Sequence, residues 1–369
     1  MAGIYVHMPF CASRCIYCAF YSTTRLDLRQ RYVDAVSGEY RLRSKYTNER
    51  VRTIYIGGGT PSQLSVSQIG QLLQSLPSAE AEEVTLECNP DDVTADFAQS
   101  LASLPVNRVS MGAQTFSDER LRFLHRRHTS QQVRQAVDHL RRAGMKNISI
   151  DLMYGFPGET LPDWHADIDA ALGLQVEHLS AYALQYEEGT PLYERMKTKC
   201  DKVDEETERA MYYDLKDRLE AAGYEHYELS NFAKRVGERS YRSLHNSSYW
   251  NQTPYLGLGA AAHSFDGHSR QWNVADIEAY IKGIESGDPL TEREELDADT
   301  QYNEMVMTRL RTRDGLPLAA LTPRARSYCL KMARKYVDGG LLSLGSDTLR
   351  LTRRGLFVSD MVMSDLMLA

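Results

Sequence analysis

Hydrophobic positions along this chain switch repeatedly between two periods. Short β-rich runs occur at 3–8 (GIYVHM), 51–57 (VRTIYIG), 83–88 (EVTLEC), 108–112 (RVSMG), 148–153 (ISIDLM) and 178–184 (HLSAYAL). Between them lie stretches with helical spacing, such as LRQRYVDAVSGEYRLR, SVSQIGQLLQSL and SQQVRQAVDHLRRAG, the last stopped by Gly144. Strands alternating with helices predict an α/β fold with a parallel sheet. Six such units predict a partial (β/α)6, TIM-like barrel rather than a closed one of eight strands, with chemistry at the carboxyl ends of the strands.

The polar and glycine-rich segments fall on that predicted rim. GGGTPS follows the second strand, Glu87 to Pro90 the third, Gln114 the fourth, Asp151 with YGFPGET the fifth, and Gln185 the sixth. Random scatter would have put several at the opposite ends, so the register predicts one site. After residue 200 the pattern changes. DEETERAMYYDLKDRLEAAG reads as a charged amphipathic helix, YEHYELSNFA as a strand, and 242–265 as a functional loop rich in aromatics, His and Gly. From about 298 come two helices and two short strands turning at Gly345-Ser346-Asp347, a winged-helix-like appendage. The chain thus divides into a core at 1–200, an extension at 201–290 and an appendage at 291–369.

Composition narrows the class. With 42% hydrophobic and 25% charged residues, the 369-residue chain has enough apolar mass for a large core. A formal net charge of −7 argues against wholesale binding to nucleic acid or anionic membrane. No apolar run reaches the length of a membrane span and the start lacks a signal-peptide pattern, so a cytoplasmic protein with reduced thiols is expected. Three of the six cysteines, Cys11, Cys15 and Cys18, share one loop after the first strand. Zinc would call for four protein ligands, and no partner cysteine pair exists elsewhere. An iron–sulfur cubane held by three thiolates keeps one iron open. Cys88, Cys200 and Cys329 are isolated and read as small buried hydrophobes.

The CxxxCxxC loop, with Tyr17 before its last cysteine and the glycine turn downstream, resembles the radical SAM superfamily. IYVHMPFC, GGGTPS, LECNP, SMGAQTF, LHRRHT, IDLMYGFPGET and YELSNFA extend the resemblance over nearly the whole chain to its coproporphyrinogen dehydrogenase-like branch. The resemblance implies a radical SAM barrel with a [4Fe–4S] cluster on Cys11, Cys15 and Cys18, and S-adenosylmethionine as the ligand of the open iron. It places Tyr5 and Tyr17 near that cofactor and Gly58, Gly59, Thr60 and Glu87 around its methionyl and ribose parts. Gln114, Arg126, Asp151 and Gln185 fall where the branch holds a second S-adenosylmethionine. Two departures from the dehydrogenases stand out: Phe20 replaces a further cysteine, and the cysteine loop begins already at residue 11. With the segment His245-Asn246-Ser-Ser-Tyr249-Trp250, they resemble the heme chaperones of the branch. The implied function is binding heme and passing it to an acceptor protein, with His245 as the heme ligand and an electron donor such as flavodoxin or ferredoxin as a further partner. The alternatives are an oxygen-independent coproporphyrinogen III dehydrogenase and a radical SAM enzyme acting on nucleic acid through the basic tail. A further expectation is that Arg126, Arg127 and His128 form a cationic surface for propionates.

Overall fold

The computed structural model describes residues 1–46, 49–198 and 202–368, so Cys200 lies outside the described residues. Six strands, β1 (Ala2–Met8), β2 (Val51–Gly58), β3 (Glu83–Cys88), β4 (Arg108–Gln114), β5 (Ile148–Tyr154) and β6 (His178–Ala183), lie side by side in chain order, all parallel. Side chains on a strand alternate between faces, and here the two parities differ sharply. One parity supplies Ile4, Val6, Ile54, Ile56, Val84, Leu86, Val109, Met111, Ile148 and Ile150, which pack with Val33, Ile69, Leu72, Val133 and Leu140 of the surrounding helices in one apolar layer. The other parity carries Tyr5, His7, Thr53, Tyr55, Thr85, Glu87, Arg108, Ser149, Asp151 and His178. The barrel therefore has a hydrocarbon exterior under its helices and a polar interior.

The sheet continues beyond both ends of this array. The segment expected as a single strand at 224–233 is a hairpin of β7 (Tyr224–Glu228) and β8 (Asn231–Val236), with β8 antiparallel to β6 and the short β9 (Arg239–Ser240) paired to β8. At the opposite side, β10 (Tyr255–Leu258) runs parallel to β1 as a seventh parallel strand. It was hidden in the segment read as a loop because four residues, YLGL, carry neither alternation nor length. β11 (His263–Phe265), β12 (Ser269–Asn273) and β13 (Thr291–Glu295) extend that side antiparallel. The same segment also forms the helix Leu244–Trp250, capped by Ser243, whose hydroxyl accepts the Asn246 N–H.

The C-terminal part has an apolar core of its own, including Val306, Leu310, Cys329, Leu342, Leu349 and Val362. Helices Ala298–Leu310 and Pro323–Asp338 pack on a three-stranded antiparallel sheet of β14 (Leu316–Pro317), β15 (Leu342–Leu344) and β16 (Thr348–Leu351), with β16 in the middle. Its basic residues are largely engaged: Arg326 meets Asp347 at 2.9 Å, Lys335 meets Asp365 at 2.5 Å, and both Arg353 nitrogens meet Asp217. Such pairing breaks up the stripe of free cations that phosphate tracking needs. Cys88 and Cys329 are buried. Among the described residues no helix is long and apolar enough to cross a membrane.

Candidate functional site

Cys11, Cys15 and Cys18 stand on the loop leaving the carboxyl end of β1, over a cleft of about 630 Å³. Ile16 anchors this loop. It is buried with Leu124, Met153, Phe156, Leu184 and Leu192, and its N–H bonds to the Leu124 carbonyl at 3.2 Å. An apolar residue between cysteines thus turns the neighbouring thiols toward the cleft. Two sulfurs receive hydrogen bonds: Thr60 Oγ1 donates to Cys11 Sγ at 3.6 Å, and Arg126 Nη1 to Cys15 Sγ at 3.5 Å. Burial pushes the Cys11 and Cys18 thiols up, and the Arg126 charge pulls both back toward thiolate. Among the described residues no three His, Cys, Asp or Glu side chains converge as one metal ion would require. Three thiols on one loop at the cleft, two of them accepting hydrogen bonds, are the donor set that a [4Fe–4S] cubane, with one thiolate per iron, would use.

The glycine turn after β2 closes one wall. Gly59 N–H bonds to Met8 O at 2.8 Å and Thr60 N–H to Phe10 O at 2.7 Å, tying this turn to the loop that starts the cysteines. A Cβ on Gly59 would lie 2.8 Å from the Pro9 carbonyl carbon and 2.9 Å from the Met8 and Phe10 oxygens. Glycine is therefore required by backbone packing. Gly58, Gly59 and Thr60 all line the cleft, with the Gly59 and Thr60 N–H groups bonded inside the protein and the Gly58 N–H bonded to Glu87 Oε2 at 3.1 Å.

Glu87 and Asp151 form the acidic floor. Tyr55 donates to Glu87 Oε1 at 2.6 Å. Burial lifts Glu87 to about 7, helped by the Asp151 charge and opposed by the bonds from Tyr55 and Gly58. Asp151 is lifted to about 6, again mainly by burial, with Arg108 and Arg126 opposing. Desolvated carboxylates of this kind can accept from ribose hydroxyls or an ammonium group. Gln114, with a φ of 66°, and Gln185 line the same cleft, as do Tyr17 and the 71% exposed Phe20. Sequence reasoning passed over Asn89 and Tyr182, which also line it. Asn89 sits inside the quoted block LECNP, and its Oδ1 accepts from Arg126.

Tyr5 lies one layer beneath the cleft, its hydroxyl 3.0 Å from His7 Nδ1 and its ring against Tyr55 and His245. Two expectations are corrected. His245 is at the other end of the barrel, 1% exposed. Its Nδ1 is 2.8 Å from Thr53 Oγ1 and its Nε2 2.9 Å from the Tyr249 hydroxyl, so both ring nitrogens are occupied and neither is open to heme iron. Burial depresses it to about 3, which keeps the ring neutral. The cationic trio dissolves as well. Arg127 is held by Asp91 and Asp92 at 2.8 Å each, His128 is buried with Nε2 against the Ala113 carbonyl, and Arg126 is turned to the thiols.

Comparison with known proteins follows from this geometry. Residues 5–171 match the radical SAM superfamily and residues 296–358 the HemN C-terminal domain. The heme chaperone HemW of Bacillus subtilis (strain 168) is 36% identical over 325 residues, covering 86% of this chain and 85% of that protein. HemW of Mycobacterium tuberculosis (strain CDC 1551 / Oshkosh) is 34% identical over 376 residues, covering 99% and 94%. The chain belongs to the HemW family of radical SAM proteins. The Mycobacterium HemW match, at 99% of the chain, thus spans the barrel, the 242–265 segment and the C-terminal part alike. In shape, the chain matches the coproporphyrinogen III oxidase HemN of Escherichia coli with a TM-score of 0.85 over 99% of this chain and 90% of that one, at 21% identity, which establishes a shared fold alone.

Proposed function

We propose that this protein is a heme chaperone that binds heme and passes it to an acceptor protein, on a barrel whose Cys11, Cys15 and Cys18 hold a [4Fe–4S] cluster and whose cleft holds S-adenosylmethionine. The HemW relatives, similar over nearly the full chain, carry the reading. Once bound, the cluster and S-adenosylmethionine supply one-electron chemistry. The chain's own part is positioning. Ile16 fixes the cysteine loop, the Gly58–Thr60 turn closes against it, and Glu87 and Asp151 offer acceptors for the polar groups of the cofactor. Gln114, Arg126 and Gln185, which also line the cleft, are the residues that would meet a second S-adenosylmethionine. Phe20, exposed at the cleft mouth where the dehydrogenases carry a further cysteine, gives an apolar surface there in place of a thiolate.

The proposal includes a cytoplasmic location, a one-electron protein donor such as flavodoxin or ferredoxin, and three regions: the core at 1–200, the extension at 201–290, and the winged-helix-like appendage at 291–369. The experiment that tests the function is anaerobic reconstitution of the cluster followed by parallel assays of heme binding and of coproporphyrinogen III turnover with S-adenosylmethionine. Stoichiometric heme binding without turnover is expected. Turnover to protoporphyrinogen IX would return the chain to the dehydrogenases.

A further inference from the structure

Arg126 makes a set of contacts that holding a substrate does not require. Its backbone is fixed first. The helix Asp118–Phe123 ends with His125 in the left-handed region at a φ of 59°, and the Arg126 N–H closes back on the Leu121 carbonyl at 2.9 Å. The guanidinium then spans three elements. Nη1 donates to Cys15 Sγ at 3.5 Å, while Nη2 donates to the Gly112 carbonyl at 2.8 Å and to Asn89 Oδ1. Gly112 leaves space for two side chains, since a Cβ there would lie 2.5 Å from Gln114 Nε2 and 3.2 Å from Arg126 Nη2. Two fixed acceptors behind and a sulfur in front hold a planar cation in one orientation.

We propose that Arg126 sets the reduction potential of the cluster, by donating an N–H to the Cys15 sulfur and holding a permanent positive charge beside that ligand. The inference rests on the reading that these cysteines hold the cluster. Reduction adds one electron, drawn from an external donor, and moves no proton, because a guanidinium stays protonated throughout. The added negative charge spreads over the sulfurs, so a donor and a cation at a ligand sulfur stabilise the reduced form more than the oxidised one and raise the potential. Thr60, donating to Cys11, acts in the same direction with a neutral hydroxyl.

The test is a redox titration of the full-length protein after anaerobic reconstitution, without S-adenosylmethionine, following the reduced cluster by paramagnetic resonance with dithionite as reductant. At the wild-type midpoint, Arg126→Met is expected to show a reduced-to-oxidised ratio at least tenfold lower, which for one electron is a downward shift of 59 mV or more. Arg126→Lys keeps the charge but loses the planar grip and should fall between. The iron–sulfur stretching bands should also move in Arg126→Met, because the sulfur loses its donor. Unchanged midpoint and unchanged bands in Arg126→Met would overturn the proposal, even if affinity for S-adenosylmethionine dropped. If Arg126→Met takes up no iron, Arg126→Gln, which removes the charge, and Arg126→Lys, which removes the planar donor, decide: wild-type midpoints in both overturn it. Failure of the wild-type chain to take up iron would instead remove the ligand assignment on which both readings stand.

Discussion

The two ends of the barrel are built from similar residues and do opposite things. At the carboxyl end, Cys11, Cys15, Cys18, Glu87, Asp151 and Arg126 surround an open cleft, with an orphaned Arg126 Nε and an exposed Phe20. At the amino end the helix Leu244–Trp250 closes the opening. Glu83 accepts the N–H groups of Leu244 and His245 at 3.0 Å each, and His245 is bonded at both ring nitrogens. At the base His245 and Glu83 are paired and shut away, although Arg108 Nε and Nη1, Thr85 Oγ1 and Trp250 Nε1 lack partners there, whereas the polar groups at the top border open space. The difference lies in access rather than residue type, and a buried histidine bonded at both ring nitrogens stabilises a fold without offering a ligand site.

The largest effects should come from the top. Changing Cys11, Cys15 or Cys18 to Ala is expected to abolish the cluster, since Cys329 is buried in the C-terminal core and Cys88, which borders the same cleft, is buried with its thiol pushed well up by desolvation. Iron content and visible absorption after reconstitution check this. A cluster retained in any of the three variants would break the assignment. At the base, Glu83→Ala should leave two helix N–H groups and the Ser243 hydroxyl without their acceptor, at a cost of about 3 kcal/mol in denaturant unfolding. Iron uptake by the folded variant should match the wild type, because the cleft lies at the far end of the same strands.

Much of this contrast was legible in the sequence. The strand positions and the segments following them placed GGGTPS, Glu87, Gln114, Asp151 and Gln185 on one rim, and the structure gathers them in one cleft. Parity along a strand is strict, so a short motif just after a strand locates itself. His245 had no such frame. It lies in a segment whose helix has seven residues and whose strand, β10, has four, too short for either period to register. Without knowing that β10 pairs with β1, nothing in HNSSYW says that the helix before it lies under the barrel. Tyr5 has the expected inward parity and sits mid-strand beneath the cleft, a depth that parity alone does not give. Arg126 was placed correctly in the cleft, yet its contact with Cys15 depends on a left-handed turn at His125, which no residue pattern announced.

A middle-sized effect concerns pH. Glu87 titrates at about 7 in the folded chain against an ordinary 4.5, so the native state binds a proton that the unfolded chain has released. Stability from this group is fully present below 4.5 and is lost as pH rises through 7. For the apoprotein, the loss should be about 2–3 kcal/mol across that window, and Glu87→Gln should flatten the profile. An unchanged slope in Glu87→Gln would mean that the strained carboxylate of the cleft is another one, with Asp151, at about 6, next in line.

The smallest effect separates the two ends most sharply. Thr53→Val removes the hydroxyl that meets His245 Nδ1 while keeping volume and β-branching, so the ring stays in place with one nitrogen unpaired. A buried polar atom left in that state costs about 1–2 kcal/mol, readable as a shift in the denaturation midpoint with an unchanged slope. With His245 held at the base, heme binding by Thr53→Val should equal that of the wild type. Tighter heme binding in this variant would mean that loosening the ring releases a ligand. The helix Leu244–Trp250 would then have to leave Glu83 for heme to reach His245, and the base of the barrel would be a second working end rather than a plug.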